Sequence, residues 1–385
     1  MNKNRSLLKG WKWTELGEVS RVFAGGTAPQ NKIYFASTGI PFFRVSDLSV
    51  KGRTLSLQKS RDYLSVKKIA ELRLVAAKKG TVIFPKSGAA IATNNRGILG
   101  VDGYIVSHFM ALEANSKTTP EWLYYTLCQI NMMEYIENPG YPSLKKTVVE
   151  KIKIPIPPLA EQKRIMQMLE RQLATAEKAR IAAEKRLSDM NALSAAILHA
   201  VFSSAESQKW QRKKIGEVCE ATRGTSITKQ DTIAGKYPVI AGGQTPAYFH
   251  NQFNREGKTI TISGSGAYAG FTAYHTTPIF ASDCTTLQIP QEDNLLVKFL
   301  FLSLKSRQAD IYKAQTGGSQ PHVYCRDIIK MEIAFPPLAE QKRIVQMLER
   351  QLAPAKKLQV AIAVELDEIN ILPAAFLRQA LAIRL

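Results

Sequence analysis

The chain has 385 residues, 45% of them hydrophobic, which suits two or three folded domains and argues against disorder. Lys and Arg outnumber Asp and Glu 52 to 32, a formal net charge of +20. Such an excess points to a polyanionic partner, nucleic acid first, because each neutralised phosphate releases counterions. A basic solvated surface without a ligand is the alternative. A membrane surface fits less well, since no basic amphipathic anchor is evident. No run approaches the roughly 18 apolar residues of a membrane span, and MNKNRSLLKG is not followed by an apolar segment, so a cytoplasmic protein is expected. Cys128, Cys219, Cys284 and Cys325 are widely spaced and the histidines lack metal-ligand spacing, so neither a metal site nor a disulfide framework is expected.

In chain order, a first half opens after Trp13 with the triplet GEV at Gly17, and a second opens after Trp210 with GEV at Gly216. Pro41 aligns with Pro238. The first half holds about 19 extra residues between Pro41 and Gly88, where SRDYLSVKKIAELRLVAAKK reads as an added helix. The β-branched runs TVIFPKSG and KTITISGSG read as strands ending in Gly turns, with Gly88 on Gly266. PEWLYYTLCQINMMEYIE and NLLVKFLFLSLKSRQADIY read as apolar helices, each followed by a loop in which Pro142 aligns with Pro321. KIKIPIP and KMEIAFP read as the closing strands.

Each closing strand feeds the same helix. PPLAEQKRIMQMLERQLA from Pro157 and PPLAEQKRIVQMLERQLA from Pro336 differ only at Met166 against Val345. Pro158 and Pro337 suit a first helical turn, and Glu161 and Glu340 face the positive end of the dipole. Apolar residues recur in heptad register at Met166, Leu169, Leu173, Ala176, Ala183, Leu187, Met190, Ile197 and Val201. The second copy keeps that register at Val345, Leu348, Leu352, Ala355, Ile362, Leu366, Ile369, Phe376 and Ala380. The two helices are expected to pair, and because the first enters the second domain while the other leaves it, they must be antiparallel. Each is roughly 60 Å long. Pro354 is expected to kink the second. The expected fold is α+β: two similar domains, 1–157 and 204–336, separated by two long antiparallel coiled-coil helices, 158–203 and 337–385, in a pseudo-twofold internal repeat.

Two variable domains of one plan, each closed by a PPLAEQ helix, resemble the specificity subunit of type I restriction-modification enzymes. The doubled PPLAEQKRI, the GEV openings, GSGAYAG and GGSQPHV carry the likeness, which covers essentially the whole chain. The resemblance implies two target recognition domains, each reading half of a bipartite DNA site, and helices that set the gap and dock methyltransferase subunits. The implied partners are double-stranded DNA, two methyltransferase subunits and restriction subunits. S-adenosylmethionine, ATP and Mg²⁺ would belong to those partners, with no cofactor in this chain. Because the interiors of the halves differ, the half-sites should differ too, which gives an asymmetric site.

A self-contained DNA-modifying enzyme is the first rival. It would need a [DNS]-P-P-[YFW] loop, yet both Pro-Pro pairs precede Leu. SGSGAYAG from Ser263 runs into the strand-like FTAYH and not a helix, and EGKT from Glu256 has Gln252 where a P-loop needs Gly. The EQK triplets match the E-x-K of nucleases but sit on helices. No catalytic residue is assigned. A structural scaffold, the second rival, gives no reason for the domain interiors to vary while the helices repeat.

Base-reading side chains are Arg or Lys for guanine and Asn or Gln for adenine, on loops that can enter the major groove. In the first half the candidates are Thr27, Gln30, Arg44, Lys86, Ser87, Asn94, Asn95, Arg96, Lys145 and Lys146. In the second they are Arg223, Thr225, Lys229, Gln244, Ser265, Tyr268, Gln320 and His322. For each, a turn-stabilising or solvated role is the alternative.

Overall fold

A computed structural model describes residues 8–49, 56–66, 69, 72–138, 140–289, 291, 295–317 and 320–381. The chain forms two compact units, Met1–Arg180 with Glu368–Leu385 and Ile181–Asp367.

In the first unit β1 (Lys12–Glu15) passes through one helical turn, α1 (Leu16–Val19), into β2 (Ser20–Ala24). There follow β3 (Phe35–Ala36), β4 (Ile40–Phe43), β5 (Ser56–Leu57), β6 (Asp62–Leu64), β7 (Ala76–Ala77), β8 (Val82–Pro85), β9 (Gly97–Leu99), β10 (Gly103–Ile105) and β11 (Phe109–Ala114). The unit continues with α2 (Pro120–Cys128), α3 (Lys146–Glu150), β12 (Lys153–Ile156) and the start of α4 (Leu159–Phe202). One sheet has the order β2-β11-β8-β9-β5, a second β3-β6-β4-β10-β7, and β1 pairs with β12. All four residues of β8 are buried, as expected of a central strand rich in Val, Ile and Phe. Thr119 caps α2 by accepting from the Trp122 amide at 3.2 Å, and Pro120 fills its first turn.

The second unit repeats this frame with fewer strands. After the end of α4 come β13 (Gln211–Lys214), α5 (Ile215–Val218), β14 (Glu220–Arg223), β15 (Tyr237–Ile240), β16 (Tyr248–His250), β17 (Thr259–Ser263), β18 (Thr272–His275), β19 (Phe280–Ala281) and β20 (Cys284–Gln288). Then come α6 (Val297–Ser306), α7 (Gln308–Lys313), α8 (Cys325–Ile328), β21 (Glu332–Phe335) and α9 (Leu338–Ala380). The order β14-β20-β17-β18 reproduces β2-β11-β8-β9, and β15 runs parallel to β19 as β4 does to β10.

Two expectations change. The two ends of SRDYLSVKKIAELRLVAAKK are strands and not helix: Asp62–Leu64 pairs with β3 and β4, and Ala76–Ala77 pairs with β10, while Ile69 between them lies in a 3-10 turn. Asp62–Leu64 is inserted between β3 and β4, and Ala76–Ala77 forms the edge of that sheet against β10, so cross-strand pairing takes up both ends of the segment; residues 67–68 and 70–71 lie outside the described set. The tryptophan equivalent to Trp210 is Trp11, not Trp13. Trp11 is buried edge-on against Trp122 at 5.4 Å, as Trp210 packs on Phe299 at 5.8 Å, whereas Trp13 is 47% exposed.

The long helices pack together in antiparallel sense within each unit. In the first, Met166, Leu169 and Leu173 share a core with Phe376, Leu377, Ala380 and Leu381. In the second, Ile197, Leu198 and Val201 share one with Val345, Leu348 and Leu352. Arg186 pairs with Glu365 at 2.6 Å and Gln359 donates to Asn191 at 3.0 Å, so position numbers rise on one helix as they fall on the other. Ala183 and Ile362 are fully buried, Ile369 is buried, and Leu187, Met190 and Leu366 are half-buried. α9 continues through Pro354, which is exposed.

The repeated motif has an inward and an outward half. Gln162 is 0% exposed. Its side-chain oxygen accepts from the Thr118 hydroxyl at 3.0 Å and the Thr119 amide at 3.1 Å, while its nitrogen donates to the carbonyls of Lys117 and Pro157, both at 2.9 Å. Gln341, equally buried, accepts from the Leu296 amide at 3.0 Å and donates to the Pro336 carbonyl at 2.8 Å. One amide thus ties the start of the long helix to the strand before it and the cap of the apolar helix. Replacing Gln162 by Leu leaves several of these groups buried and unpaired, and should cost on the order of 3 kcal/mol. Lys163→Ala, on the exposed side of the same turn, should stay within about 0.5 kcal/mol. Denaturant melts of the two variants check this, and equal midpoints would show that the buried amide does not hold the junction.

Candidate nucleic-acid interface

Where the strands of the first sheet end, five backbone hydrogen bonds of the first unit recur in the second. The amide of Gly25 donates to Phe109 and that of Gly224 to Cys284; Gly26 to Ile105 and Thr225 to Ala281; Lys86 to His108 and Gly264 to Asp283. Gly88 donates to Pro142 and Gly266 to Pro321, and Leu144 to Lys86 as Val323 to Gly264. Glycine is required at two of these places in each unit. A Cβ on Gly25 or Gly224 would lie 2.1 Å from the carbonyl oxygen of Val106 or Ser282, and Gly88 and Gly266 have φ of +72° and +80°. The result is a fixed platform of two loops, Lys86–Gly88 with Pro142–Leu144 in one unit and Gly264–Gly266 with Pro321–Val323 in the other.

Side chains on the equal frames differ. The Ser87 hydroxyl is 2.6 Å from Nδ1 of His108, whereas the Ser265 hydroxyl donates to the Asp283 carboxylate. Ala24 precedes Gly25 where Arg223 precedes Gly224. Arg223 is 81% exposed, with its guanidinium 3.9 Å from Asp283.

The platform of the first unit gathers Lys86, Ser87 and, one residue past Leu144, the exposed Lys145, whose ammonium pairs with Glu137 at 2.7 Å. Thr27 is exposed beside the bridge from Gly26 to Val106. Gln30 is exposed and donates to the Ala28 carbonyl at 3.0 Å, and Lys146 pairs with Glu150 at 3.5 Å on α3. Three further candidates, Arg96, Asn94 and Arg44, are occupied inside the unit. Arg96 is 7% exposed and donates to the carbonyl of Asn95 at 2.9 Å and the side chain of Asn94 at 2.7 Å. Its guanidinium lies 4.9 Å over the Phe84 ring, and burial lowers its pKa to about 10. Asn94 has φ of 52° and donates to the Cys128 carbonyl at 3.0 Å, which ties the loop to the end of α2; Asn95 is half-buried. Arg44 is paired with Asp62 and lies over the rings of Phe35 and Phe42.

In the second unit Arg223, Thr225, Ser265 and His322 converge, Ser265 bridging to His322 and His322 to Thr316. His322 stacks on Tyr324 at 5.9 Å, Tyr268 is 47% exposed on the GSGAYAG turn, and Gln320 is exposed beside Pro321. Gln244 is exposed on a loop tied to this turn by the Ser263 hydroxyl, which donates to the Gly242 carbonyl at 2.9 Å. Lys229 is exposed in a separate single turn, Lys229–Asp231. The turn leads into β18, a strand, and β17 follows EGKT, so neither supplies a phosphate-binding helix. Among the described residues no three His, Cys, Asp or Glu side chains are grouped to hold a metal, and no helix is long and apolar enough to cross a membrane. Asp283 and His108 were absent from the sequence-derived candidates. The single residue Ser107, extra between the matched Val106 and Ser282 contacts and the following strands, shifts the alignment and hides their equivalence.

The pattern that defines the type I restriction modification DNA specificity domain matches residues 8–184 and again 207–365, so the chain belongs to that family. It is 27% identical over 158 residues to a type I restriction enzyme specificity subunit of Methanocaldococcus jannaschii, covering 40% of this chain and only 36% of that protein. It is 22% identical over 387 residues to a putative type I restriction enzyme specificity subunit of Haemophilus influenzae, covering 91% of each. A chain from a solved type I R-M system shares the fold with a TM-score of 0.71 and 22% identity, over 98% of this chain and 99% of that one.

A cavity of about 180 Å³ beside the second platform is lined by Gln244, Thr261, Ser263 and His275. Nε2 of His275 is 2.8 Å from the Thr261 hydroxyl, and burial pushes its pKa from 6.5 down to about 4. Between these values the unfolded chain binds a proton that the folded chain refuses. The associated stability is complete above pH 6.5 and is lost as pH falls toward 4, on the order of 3 kcal/mol. Acid should therefore lower the melting temperature of the chain, and His275→Gln should flatten that slope. An equally steep decline in the variant would assign the acid sensitivity to other groups.

Proposed function

We propose that this chain is the DNA-recognition subunit of a type I restriction-modification complex, with domains 1–157 and 204–336 each reading half of a bipartite, asymmetric site. The observation that carries this reading is the pair of platforms, identical in backbone hydrogen bonds and different in side chains. A fixed frame presents a loop to the groove, and variable side chains choose the bases. Lys86, Lys145, Arg223, Thr225, Gln244, Tyr268, Gln320 and His322 are the side chains best placed to touch DNA. Arg96 and Asn94 act within the fold instead.

The outward half of the helix motif supports a docking role. Lys163, Arg164, Gln167, Glu170 and Arg171 are exposed and identical to Lys342, Arg343, Gln346, Glu349 and Arg350, which are also exposed. Burial gives no reason for that identity, and one kind of partner met twice does. Two methyltransferase subunits on these faces would bring S-adenosylmethionine, and restriction subunits ATP and Mg²⁺, while this chain carries out no chemistry. Without partners it should bind DNA weakly and with steep salt dependence, since phosphate contacts dominate. Tight, salt-insensitive binding in a titration of the isolated chain would contradict this.

The helix pair sets the gap between half-sites. Four residues inserted after Ala176 and four after Ala355 lengthen each helix by roughly 6 Å and nearly complete a turn, which keeps the seam in phase. The recognised gap should grow by one or two base pairs of about 3.4 Å while both half-sites stay the same. Methylome sequencing of cells carrying the variant with its partner subunits reads this directly. An active enzyme with the original gap, or a changed half-site, would remove the helices as the spacer.

A further inference from the structure

Resting on that recognition reading, we propose that Arg223 and Asp283 form a specificity-determining pair through which the second unit requires one G·C base pair in the major groove. The matched hydrogen bonds make the two units comparable position by position: Arg223 stands where the first unit has Ala24, and Asp283 where it has His108.

Asp283 places a carboxylate on the platform proposed to face DNA. The hydroxyl of Ser265 holds one carboxylate oxygen in place, and Gly264, whose amide donates to the Asp283 carbonyl at 3.1 Å, fixes the backbone beneath it. A carboxylate fixed in this way repels the DNA backbone and accepts only from base amino groups, N4 of cytosine or N6 of adenine. Its other oxygen lies 3.9 Å from Nη2 of Arg223, beyond hydrogen-bond distance. An ion pair this loose, with the arginine side chain 81% exposed, holds neither group back from a ligand.

Arginine complements O6 and N7 of guanine. In a G·C pair guanine O6 and cytosine N4 are hydrogen-bonded to each other at about 2.9 Å, so two protein groups 3.9 Å apart can reach both edges at once. Arg223 donates to the guanine and Asp283 accepts from the cytosine amino group. In an A·T pair the arginine loses the O6 acceptor. The first unit lacks this selection: Ala24 has no polar group, and Nδ1 of His108 is engaged by Ser87. The same strand ends therefore read different bases in the two half-sites.

The test uses the complex co-expressed with its methyltransferase subunits, carrying Arg223→Ala, Arg223→Lys or Asp283→Asn. Arg223→Lys keeps the charge and loses the fork; Asp283→Asn keeps the size and an acceptor for Ser265. Methylated adenines are mapped genome-wide, and methylation rates are measured on duplexes substituted at each half-site position. The expected result is a loss of roughly tenfold or more in discrimination at one G·C position of one half-site, with the other half-site and the gap unchanged. Undiminished discrimination at every position overturns the proposal. So does a uniform fall in methylation with no position relaxed, which would make the pair a phosphate contact or a structural tie. If the wild-type complex leaves no bipartite motif, the recognition reading itself fails, and that control is read before any variant.

Discussion

The buried side-chain amide of Gln162, with Gln341 as its counterpart, is the interaction on which the rest of each unit depends. A primary amide has two donors and an acceptor with two lone pairs, and Gln162 uses all four sites on groups from the helix cap, the preceding loop and the end of β12. A fully satisfied amide in the interior is directional, and a displaced one is costly. The direction in which α4 leaves its unit is thus set by hydrogen bonds as well as by apolar packing of Ile165, Met166 and Leu169. The same residues at the start of α9 do the same for the second unit.

This constraint divides the repeated sequence into parts with different causes. Gln162, Ile165 and Leu169 repeat because the junction they build is the same in both units. Lys163, Arg164 and Arg171 point to solvent, so burial does not explain their repetition. Glu161 and Arg164 pair at 2.7 Å, and Glu340 and Arg343 at 2.6 Å, which pulls both glutamate pKa values below the ordinary carboxylate range. Exposed pairs of this kind add little stability, so they do not explain the identity either.

Much of the fold was legible because it rests on periodicity and repetition. The heptad positions fall on the buried faces of both helices and the closing strands lie where their patterns place them, while the apolar stretches are helical for only part of their length, α2 ending at Cys128 and the second stretch dividing into α6 and α7. The inserted segment was not legible, since Tyr63, Leu64 and Ala77 are apolar at spacings that suit either a helix or short strands, and only the pairing of Asp62–Leu64 between β3 and β4 and of Ala76–Ala77 with β10 decides between them. The candidate interface was legible as a class of loops and not as residues. Arg96 looks like a base reader in TNNRG, but its burial over Phe84 depends on contacts with residues more than thirty positions away, such as the Ile130 carbonyl at 3.4 Å. Asp283 looks like an ordinary strand-end acid until Ser265 and Arg223 are seen beside it.

In the proposed reading, placing the variable side chains at strand ends separates recognition from stability. The platforms are held by backbone hydrogen bonds and by glycines whose replacement would strain the chain, and neither depends on which side chain occupies positions 24, 108, 223 or 283. Substitutions at exposed positions away from buried networks change stability by roughly 0.5 kcal/mol or less, whereas one good base contact is worth about 1 to 3 kcal/mol of discrimination. The same backbone hydrogen bonds carry Ala24 and His108 in one unit and Arg223 and Asp283 in the other. The junctions of the duplicated fold stay constant because they are buried, and the proposed docking role accounts for the exposed helix faces that repeat with them. In the proposed reading the fold varies where a side chain meets the edge of a base.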